Sequence, residues 1–494
     1  MTISRRELFL GAAACLAPGP SRGDGVDLSR MVVRSPRPED LEMPPEGFSE
    51  WITPIDRFFV RCHTYTPNVK LSDWSLKIDG RLEHPLTLKI EDLKKFPRVE
   101  LVGVLECAGN GRRYYEPHVA GTQWADGAVG NGRWAGVRLR DVLHKAGLSG
   151  SAKVLLFDGA DVPLGKMPDF QRTIPVAKAL DPDTLLAYEM NGQALPVEHG
   201  FPLRVIAPGW AGDSWVKWLQ HVEVLDHEFE GFWMKTAYRH PTRPVPPGTS
   251  VDASEMVPVT DLAVKSVIAV PSGWARPGPV RIQGTAWSNR TPIRKVEVST
   301  DGGRSWQAAK LAGPQTQYGW RLWQYDWRAS EGRYTLMSRA TNADGETQPA
   351  MAAWNPSGYL WNAVRPVVVT ISAQTPSANE GAAPDMAYPE GYRTACFGCH
   401  DDHMMRQQRL NRSQWGREID KMTGWGAPVR PENRDAIIDY LSGQFKPYST
   451  ERANAAPLVR PGISDSPKRR EEPWFRTALS RGWCGRPRRF RRCA

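Results

Sequence analysis

The chain has no stretch of about 18 consecutive apolar residues, which excludes an ordinary transmembrane helix. Cysteine is scarce, with seven in 494 residues, and the spacing does not suggest a disulfide scaffold. Also missing is a basic face with interleaved aromatics, the footprint of a nucleic-acid binder. The net charge of +10 sits mostly at one end. From Lys468 onward ten basic residues face only Glu471 and Glu472, so this segment carries +8 and the rest of the chain about +2. Such an unpatterned terminal run reads as a solvated, disordered tail over 464–494. With 40% hydrophobic and 24% charged residues, the chain as a whole is not disordered.

Glycine (44), proline (42) and tryptophan (20) are abundant, which predicts many strands and turns with aromatic packing in the cores. At roughly 150 residues per domain, the length predicts about three domains. The amino end, Ser4-Arg5-Arg6-Glu7-Leu8-Phe9-Leu10, sets paired arginines before an apolar stretch ending at Ala17 that is too short to span a bilayer. This layout resembles a twin-arginine signal peptide over 1–25, which exports proteins already folded. It predicts a periplasmic location and a mature chain with no integral membrane segment.

Cys396-Phe397-Gly398-Cys399-His400 is a C-x-x-C-H motif. Two thiols can add to the vinyl groups of a haem while the adjacent imidazole ligates the iron. The bland alternative is a redox or zinc cysteine pair. A Pro/Ala/Ser/Gly-rich linker over 372–389 precedes the motif, and the pattern after it predicts a small all-α cytochrome c domain over 390–447. Ser413 is placed to cap a helix carrying Trp415, Ile419 and Met422 on one stripe. A second helix is predicted over 433–445, with Ile437, Tyr440, Leu441 and Phe445 inward. Met422 heads Met-Thr-Gly-Trp-Gly-Ala-Pro, read as an irregular loop that brings a thioether to the sixth iron site. Met404, Met405 and His403 are its rivals. This segment resembles the small cytochrome c subunits of bacterial sulfite dehydrogenases.

Between 251 and 371 the pattern is all β. Lys295 to Val298 alternates, Asp301-Gly302-Gly303 signals a hairpin, and Trp323, Tyr325 and Trp327 share one strand face. Short strands at this spacing predict an immunoglobulin-like β-sandwich.

The first large domain, 30–248, reads as an α+β mixture with strands near Val154–Phe157 and Arg204–Ala207 and a helix over Val137–Ala146. Cys107 lies in Val-Leu-Glu-Cys-Ala-Gly-Asn-Gly-Arg-Arg, where Arg112 and Arg113 would favour its thiolate, the form that binds metals. Several ordered stretches accompany it: Phe58 to His63, Gly121-Thr122-Gln123-Trp124, Trp134 to Leu139, Leu185 to Gly192, His199 to Arg204, Val216-Lys217-Trp218 and Trp354 to Asn362. Together they resemble the sulfite oxidase family of molybdenum enzymes, across most of Arg30 to Ile371.

That resemblance implies a molybdopterin-binding catalytic domain with Cys107 as the thiolate on molybdenum. It implies a pterin cofactor held by Arg61, Cys62, His63, Asp161, His199, Arg204, Trp215, Val216 and Lys217, although Cys62 stands where many members carry Asn. Arg61, Arg112, Trp124 and Tyr238 match substrate-pocket positions, and Arg113 is an alternative to Arg112. Guanidinium groups suit a small oxyanion, because they give it paired, charge-assisted hydrogen bonds. The implied activity is oxidation of sulfite to sulfate. Electrons would leave through haem c, bound by Cys396 and Cys399 and ligated by His400 and Met422, to an external cytochrome c. The sandwich would support a homodimer. The alternative is a sulfane-sulfur dehydrogenase of a thiosulfate-oxidising complex. A methionine-sulfoxide reductase fits less well, since those relatives lack the sandwich, and a plain cytochrome on an inactive scaffold does not explain Cys107 with its arginines.

Overall fold

The computed structural model describes residues 30–375 and 388–447. The segment 1–25, the tail 464–494 and most of the 372–389 linker lie outside the described residues. No described helix is long and apolar enough to cross a membrane.

Two sheets carry the first region. One runs in the order Leu86–Leu88, Leu76–Gly80, Leu219–Leu225, Val154–Gly159, Gln171–Pro175, with only the Leu76–Gly80 and Leu219–Leu225 pair parallel. The other is antiparallel and joins Gln193–Ala194, Leu185–Met190, Val129–Arg138 and Val99–Glu106, while Arg204–Ile206 also pairs with Leu185–Met190. Leu76, Phe157 and Val222 of the first sheet share a buried core with Val137 and Leu186 of the second. Val-Leu-Leu-Phe at 154–157 is buried throughout, as a short apolar run in a central strand should be. A third, small sheet of Val32–Pro36, Glu39–Glu42 and Val60–Arg61 presents Arg61.

The helix expected over Val137–Ala146 begins later. Val137 and Arg138 end the strand Val129–Arg138, paired with Leu186 and Leu185, and the helix is Leu139–Ala146. Gly136 explains the pairing: a Cβ there would lie 2.0 Å from the Leu186 carbonyl oxygen, so only glycine lets the strands approach. Ladder hydrogen bonds thus override the local helical pattern.

Residues 265–371 form two facing sheets. Four strands run Lys265–Val270, Gly278–Trp287, Arg321–Ala329, Lys310–Ala312; five run Gly273–Ala275, Val367–Ile371, Gly332–Asn342, Ile293–Ser299, Gln307–Ala308. Their inner faces meet in a core that includes Ile282, Trp323, Val296, Leu336 and Val369. The Asp-Gly-Gly turn falls between Ile293–Ser299 and Gln307–Ala308, with Gly302 and Gly303 at φ 74° and 90°, where glycine is needed. Residues 251–264 belong to neither sheet. Met256–Pro258 pairs with Arg239–Pro241, and Thr260 accepts from Ala211, which ties this stretch to the first region.

Residues 388–447 are all helical where regular: Tyr392–Cys396, His403–Arg406, Arg412–Gly424 and Pro431–Gln444. Tyr392, Leu410, Trp415, Ile419, Ile437, Ile438 and Leu441 fill a small core. Two expectations change here. The cap of Arg412–Gly424 is Asn411, not Ser413: the Asn411 side chain accepts from Gln414 N, and the Gln414 side chain accepts from Asn411 N. Met422 lies in the last turn of that helix rather than in a loop, because Thr423 and Trp425 still bond back to Ile419 and Lys421.

The reciprocal cap gives a direct comparison. Asn411→Ala should cost about 1 kcal/mol in chemical denaturation of the helical segment, because it orphans a first-turn N–H. Ser413→Ala, which removes only an exposed contact to Arg417, should change stability by less than about 0.5 kcal/mol. Equal losses would return the cap to Ser413.

Candidate active site

The strand Val99–Glu106 delivers Cys107 to the junction of two cavities. Its backbone N–H donates to Ala128 at 2.9 Å, and its carbonyl accepts from Asn110 at 2.9 Å, so the turn is fixed on both sides. Burial pushes the Cys107 thiol up; Arg61 is the strongest charge opposing that rise, followed by the Gly109 backbone and Arg112. Arg113 is not among the groups nearest this balance. It is exposed, with its guanidinium 6.0 Å from the Tyr114 ring.

Arg61 is held by Asp40, a fully buried carboxylate, at 3.0 Å, and it also donates to the Cys62 carbonyl. Thr122 donates to the other Asp40 oxygen at 2.8 Å. Burial pushes Asp40 up, and Arg61 opposes that shift. Arg112 is buried as well. It donates to the carbonyls of Thr122 (3.1 Å) and Ser357 (3.3 Å), its guanidinium lies 5.0 Å from the Tyr359 ring, and its Nε has no partner.

Tyr238 sits at φ 53°, an uncommon conformation for a bulky residue. Its hydroxyl lies 2.8 Å from His63 Nε2, and its ring stacks on Tyr359 at 5.2 Å. His63 stacks on Phe170 at 4.2 Å, and burial together with Arg61, Lys217 and Arg172 holds it neutral. Trp124 is fully buried beside Phe58, Phe59, Trp134 and Trp215, with its ring nitrogen unpartnered.

The smaller cavity, about 80 Å³, is walled by Arg61, Cys62, His63, Cys107, Asp161, His199, Arg204, Trp215, Val216 and Lys217. All ten are residues that the sequence singled out for the cofactor. Lys217 reaches the Glu198 carbonyl (2.9 Å) and the Cys62 sulfur (3.4 Å). Burial pushes Asp161 up to about 6, with Lys217 opposing it. His199 Nε2, Arg204 Nε, Glu198 Oε2 and Asp213 Oδ1 are buried without partners, and all four residues line this cavity. Buried polar atoms of that kind suit a polar ligand or ordered water.

The larger cavity, about 450 Å³, shares Arg61, His63, Cys107 and Tyr238 with the first and adds Arg112 and Trp124. Its far wall comes from the 388–447 segment: Cys396, Cys399, His400, Met404, Met405 and Met422 all line it, whereas His403 does not. Cys396 and Cys399 form no disulfide, and burial pushes the Cys396 thiol up to about 12. His400 Nδ1 lies 3.0 Å from the Asp401 carbonyl, which can only accept, so Nδ1 carries the proton and Nε2 is left as the ligating nitrogen. Amides seat this wall on the first region: Gln408 donates to the Gly121 carbonyl, Gln414 to that of His118, and Gln407 accepts from Gln123 N, each at 2.9 Å.

Sequence reasoning missed Asp40 and Phe170, for which no motif gave a signal. Tyr359 lay inside the Trp354–Asn362 stretch, yet its place beside Arg112 and Tyr238 appears only in three dimensions.

His199 generates a pH prediction. Burial, Lys217 and Arg204 push it from 6.5 down to about 3. A depressed folded value means stability is complete above pH 6.5 and falls as the pH drops toward about 3, because the unfolded chain binds the proton first. Wild type should therefore lose Tm across that window, and His199→Gln should flatten the profile. Parallel profiles would show that His199 is not buried neutral.

An oxidoreductase molybdopterin-binding domain model matches residues 63–233, and a Mo-co oxidoreductase dimerisation domain model matches 257–372. Mitochondrial sulfite oxidase of Homo sapiens is 39% identical over 374 residues, 72% of this chain and 68% of that protein. Sulfite oxidase of Gallus gallus is 36% identical over 368 residues, 70% of this chain and 80% of that protein. Among solved structures, the sulfane dehydrogenase SoxCD from Paracoccus pantotrophus aligns with a TM-score of 0.62 at 27% identity, covering 72% of this chain and 95% of that one. The residues here fit such a cofactor. A thiol flanked by guanidinium groups suits a metal, and the orphaned groups around His199, Arg204, Glu198 and Asp213 suit a polar pterin. By sequence identity over most of both chains, and by a cavity built to that chemistry, the chain belongs to the sulfite oxidase family of molybdopterin oxidoreductases.

Proposed function

We propose that this chain is a sulfite dehydrogenase that oxidises sulfite to sulfate and passes the electrons through its own haem c to an external cytochrome c. One observation carries the reading: Cys107, Arg112 and Tyr238 line the same cavity as Cys396, Cys399, His400 and Met422. When bound, the molybdenum–pterin group supplies two-electron oxygen-atom transfer, and haem c supplies single-electron carriage. The overall change is sulfite plus water to sulfate, two protons and two electrons.

Within this reading the chain's own residues bind and orient. Cys107 holds molybdenum, and Arg61, Cys62, His63, Asp161, His199, Arg204, Trp215, Val216 and Lys217 hold the pterin. Arg61 and Arg112 hold the sulfite dianion by charge-assisted N–H donors, Arg112 through the Nε that has no protein partner. The Tyr238 hydroxyl, fixed by neutral His63, orients a substrate oxygen, and Trp124 walls the pocket from water. Cys396 and Cys399 would bind the haem vinyl groups, His400 would ligate the iron through Nε2, and Met422 would supply a thioether ligand. The sandwich supports a homodimer, in keeping with its matched dimerisation-domain description. The paired arginines at 5 and 6 support a periplasmic location for it.

Metal and haem analysis should give one molybdenum and one covalent haem per chain, and sulfite alone should reduce the haem. A chain lacking either group would overturn the reading. The likeness to SoxCD favours sulfane-sulfur dehydrogenation as the second reading. A higher kcat/KM with a sulfane-bearing substrate than with sulfite would select it.

Two variants test the roles. Arg112→Gln should raise KM for sulfite strongly and lower kcat/KM by about 1.5–3 kcal/mol, roughly 10- to 150-fold, for loss of a charge-assisted partner. A change within about twofold would remove Arg112 from the anion pocket. Met422→His should keep the haem attached, abolish the near-infrared band of sulfur-ligated ferric haem and lower the potential. Haem reduction by sulfite should then slow. An unchanged spectrum would move the axial role to Met404 or Met405, both of which line the cavity.

A further inference from the structure

Glu106 directly precedes Cys107, and its carboxylate is buried, 6% exposed. The sandwich supplies two of its partners. Lys265, 4% exposed, donates from Nζ to Glu106 Oε1 at 2.5 Å, and Trp287 donates from Nε1 to Oε2 at 2.7 Å. Lys265 and Trp287 face one another across neighbouring strands, so one register position holds both donors. Asn110 Nδ2 also donates to Oε1 at 2.8 Å, while its Oδ1 accepts from Ala128 N at 3.1 Å. Ala128 accepts the Cys107 N–H and Asn110 N donates to the Cys107 carbonyl, which closes a ring of bonds around Cys107. Leu360 N adds a further bond from the sandwich region, to Ala108 O at 2.9 Å.

A buried ion pair is weak evidence for added stability, because desolvation of both charges roughly offsets their attraction. Its place matters more. The pair spans 159 residues of sequence and ends on the residue before the thiol.

We propose that Lys265 and Trp287 of the sandwich are positioning residues that fix the orientation of the Cys107 thiolate through Glu106. The inference rests on the reading of Cys107 as the molybdenum ligand. It gives the sandwich a part in each site, beyond holding subunits together. The Glu106 carboxylate holds Asn110, and Asn110 in turn holds Ala128 N and the Cys107 carbonyl, so the carboxylate is linked to the Cys107 turn by hydrogen bonds.

The test uses purified holoenzyme with Trp287→Phe, which removes one donor and keeps shape and charge, and Lys265→Met, which removes the ion pair. Cys107→Ala is the control for the ligand itself. Both sandwich variants should keep molybdenum near one per chain and KM for sulfite near wild type. The thiolate-to-metal absorption band and the electron spin resonance of the half-reduced metal should shift, and kcat should fall roughly 10- to 100-fold, as expected for a small misplacement. Wild-type spectra in folded, molybdenum-replete Trp287→Phe would overturn the proposal even if Lys265→Met fails to fold. Loss of molybdenum from that folded variant would overturn it too, in favour of a role in cofactor loading. A Cys107→Ala enzyme that keeps the thiolate band would instead overturn the reading of Cys107.

Discussion

In the proposed function, the organising constraint is a buried thiol, Cys107, that has to serve as a thiolate. Burial alone pushes Cys107 the wrong way, so positive charge has to be brought to it inside the protein. Arg61 does most of this, and a buried guanidinium needs its own fixed partner, which is Asp40. Asp40 is in turn fixed by Thr122, whose carbonyl accepts from Arg112. The small sheet that presents Arg61, the turn that follows Val99–Glu106 and the loop at 121–124 are thus tied by one buried chain of charge. The same logic extends along the smaller cavity. Lys217, Arg204 and Arg61 stand there with Asp161, Asp213 and Glu198, three groups of each sign on the same walls.

Much of the site was legible because short-range requirements leave marks in sequence. The C-x-x-C-H spacing is one that haem attachment uses, and Cys-Ala-Gly-Asn-Gly-Arg puts small residues where backbone turns beside a thiol. Every residue expected for the pterin lines one cavity, although they come from positions 61 to 217. What was not legible is held by long-range pairing. Asp40 serves Arg61 from another strand, Lys265 serves Glu106 from another sheet, and neither lies in a recognisable motif. Local signals also misplaced detail. Val137 and Arg138 look helical until Gly136 is seen to admit a neighbouring strand, and the glycines after Met422 suggested a loop that helical hydrogen bonds in fact close.

The helical segment sets the last physical condition on the site. It closes the far side of the cavity that Arg112 and Trp124 open, so charge-assisted bonds there work in a medium less polarisable than water and are stronger for it. In the haem reading the same wall also brings the one-electron carrier to the two-electron centre without a separate docking event. The seating contacts suit that duty. Gln408 and Gln414 donate to main-chain carbonyls of Gly121 and His118, and Trp425 packs against Phe232 and Trp233. Amide-to-backbone bonds fix register, because each needs one geometry, while the aromatic contact supplies burial that tolerates small shifts. A wall seated only by apolar contacts would be free to slide, and the two cysteines, the imidazole and the arginines would no longer face one cavity. Polar register and apolar burial together therefore keep the proposed electron exit aligned with the site where the electrons are released.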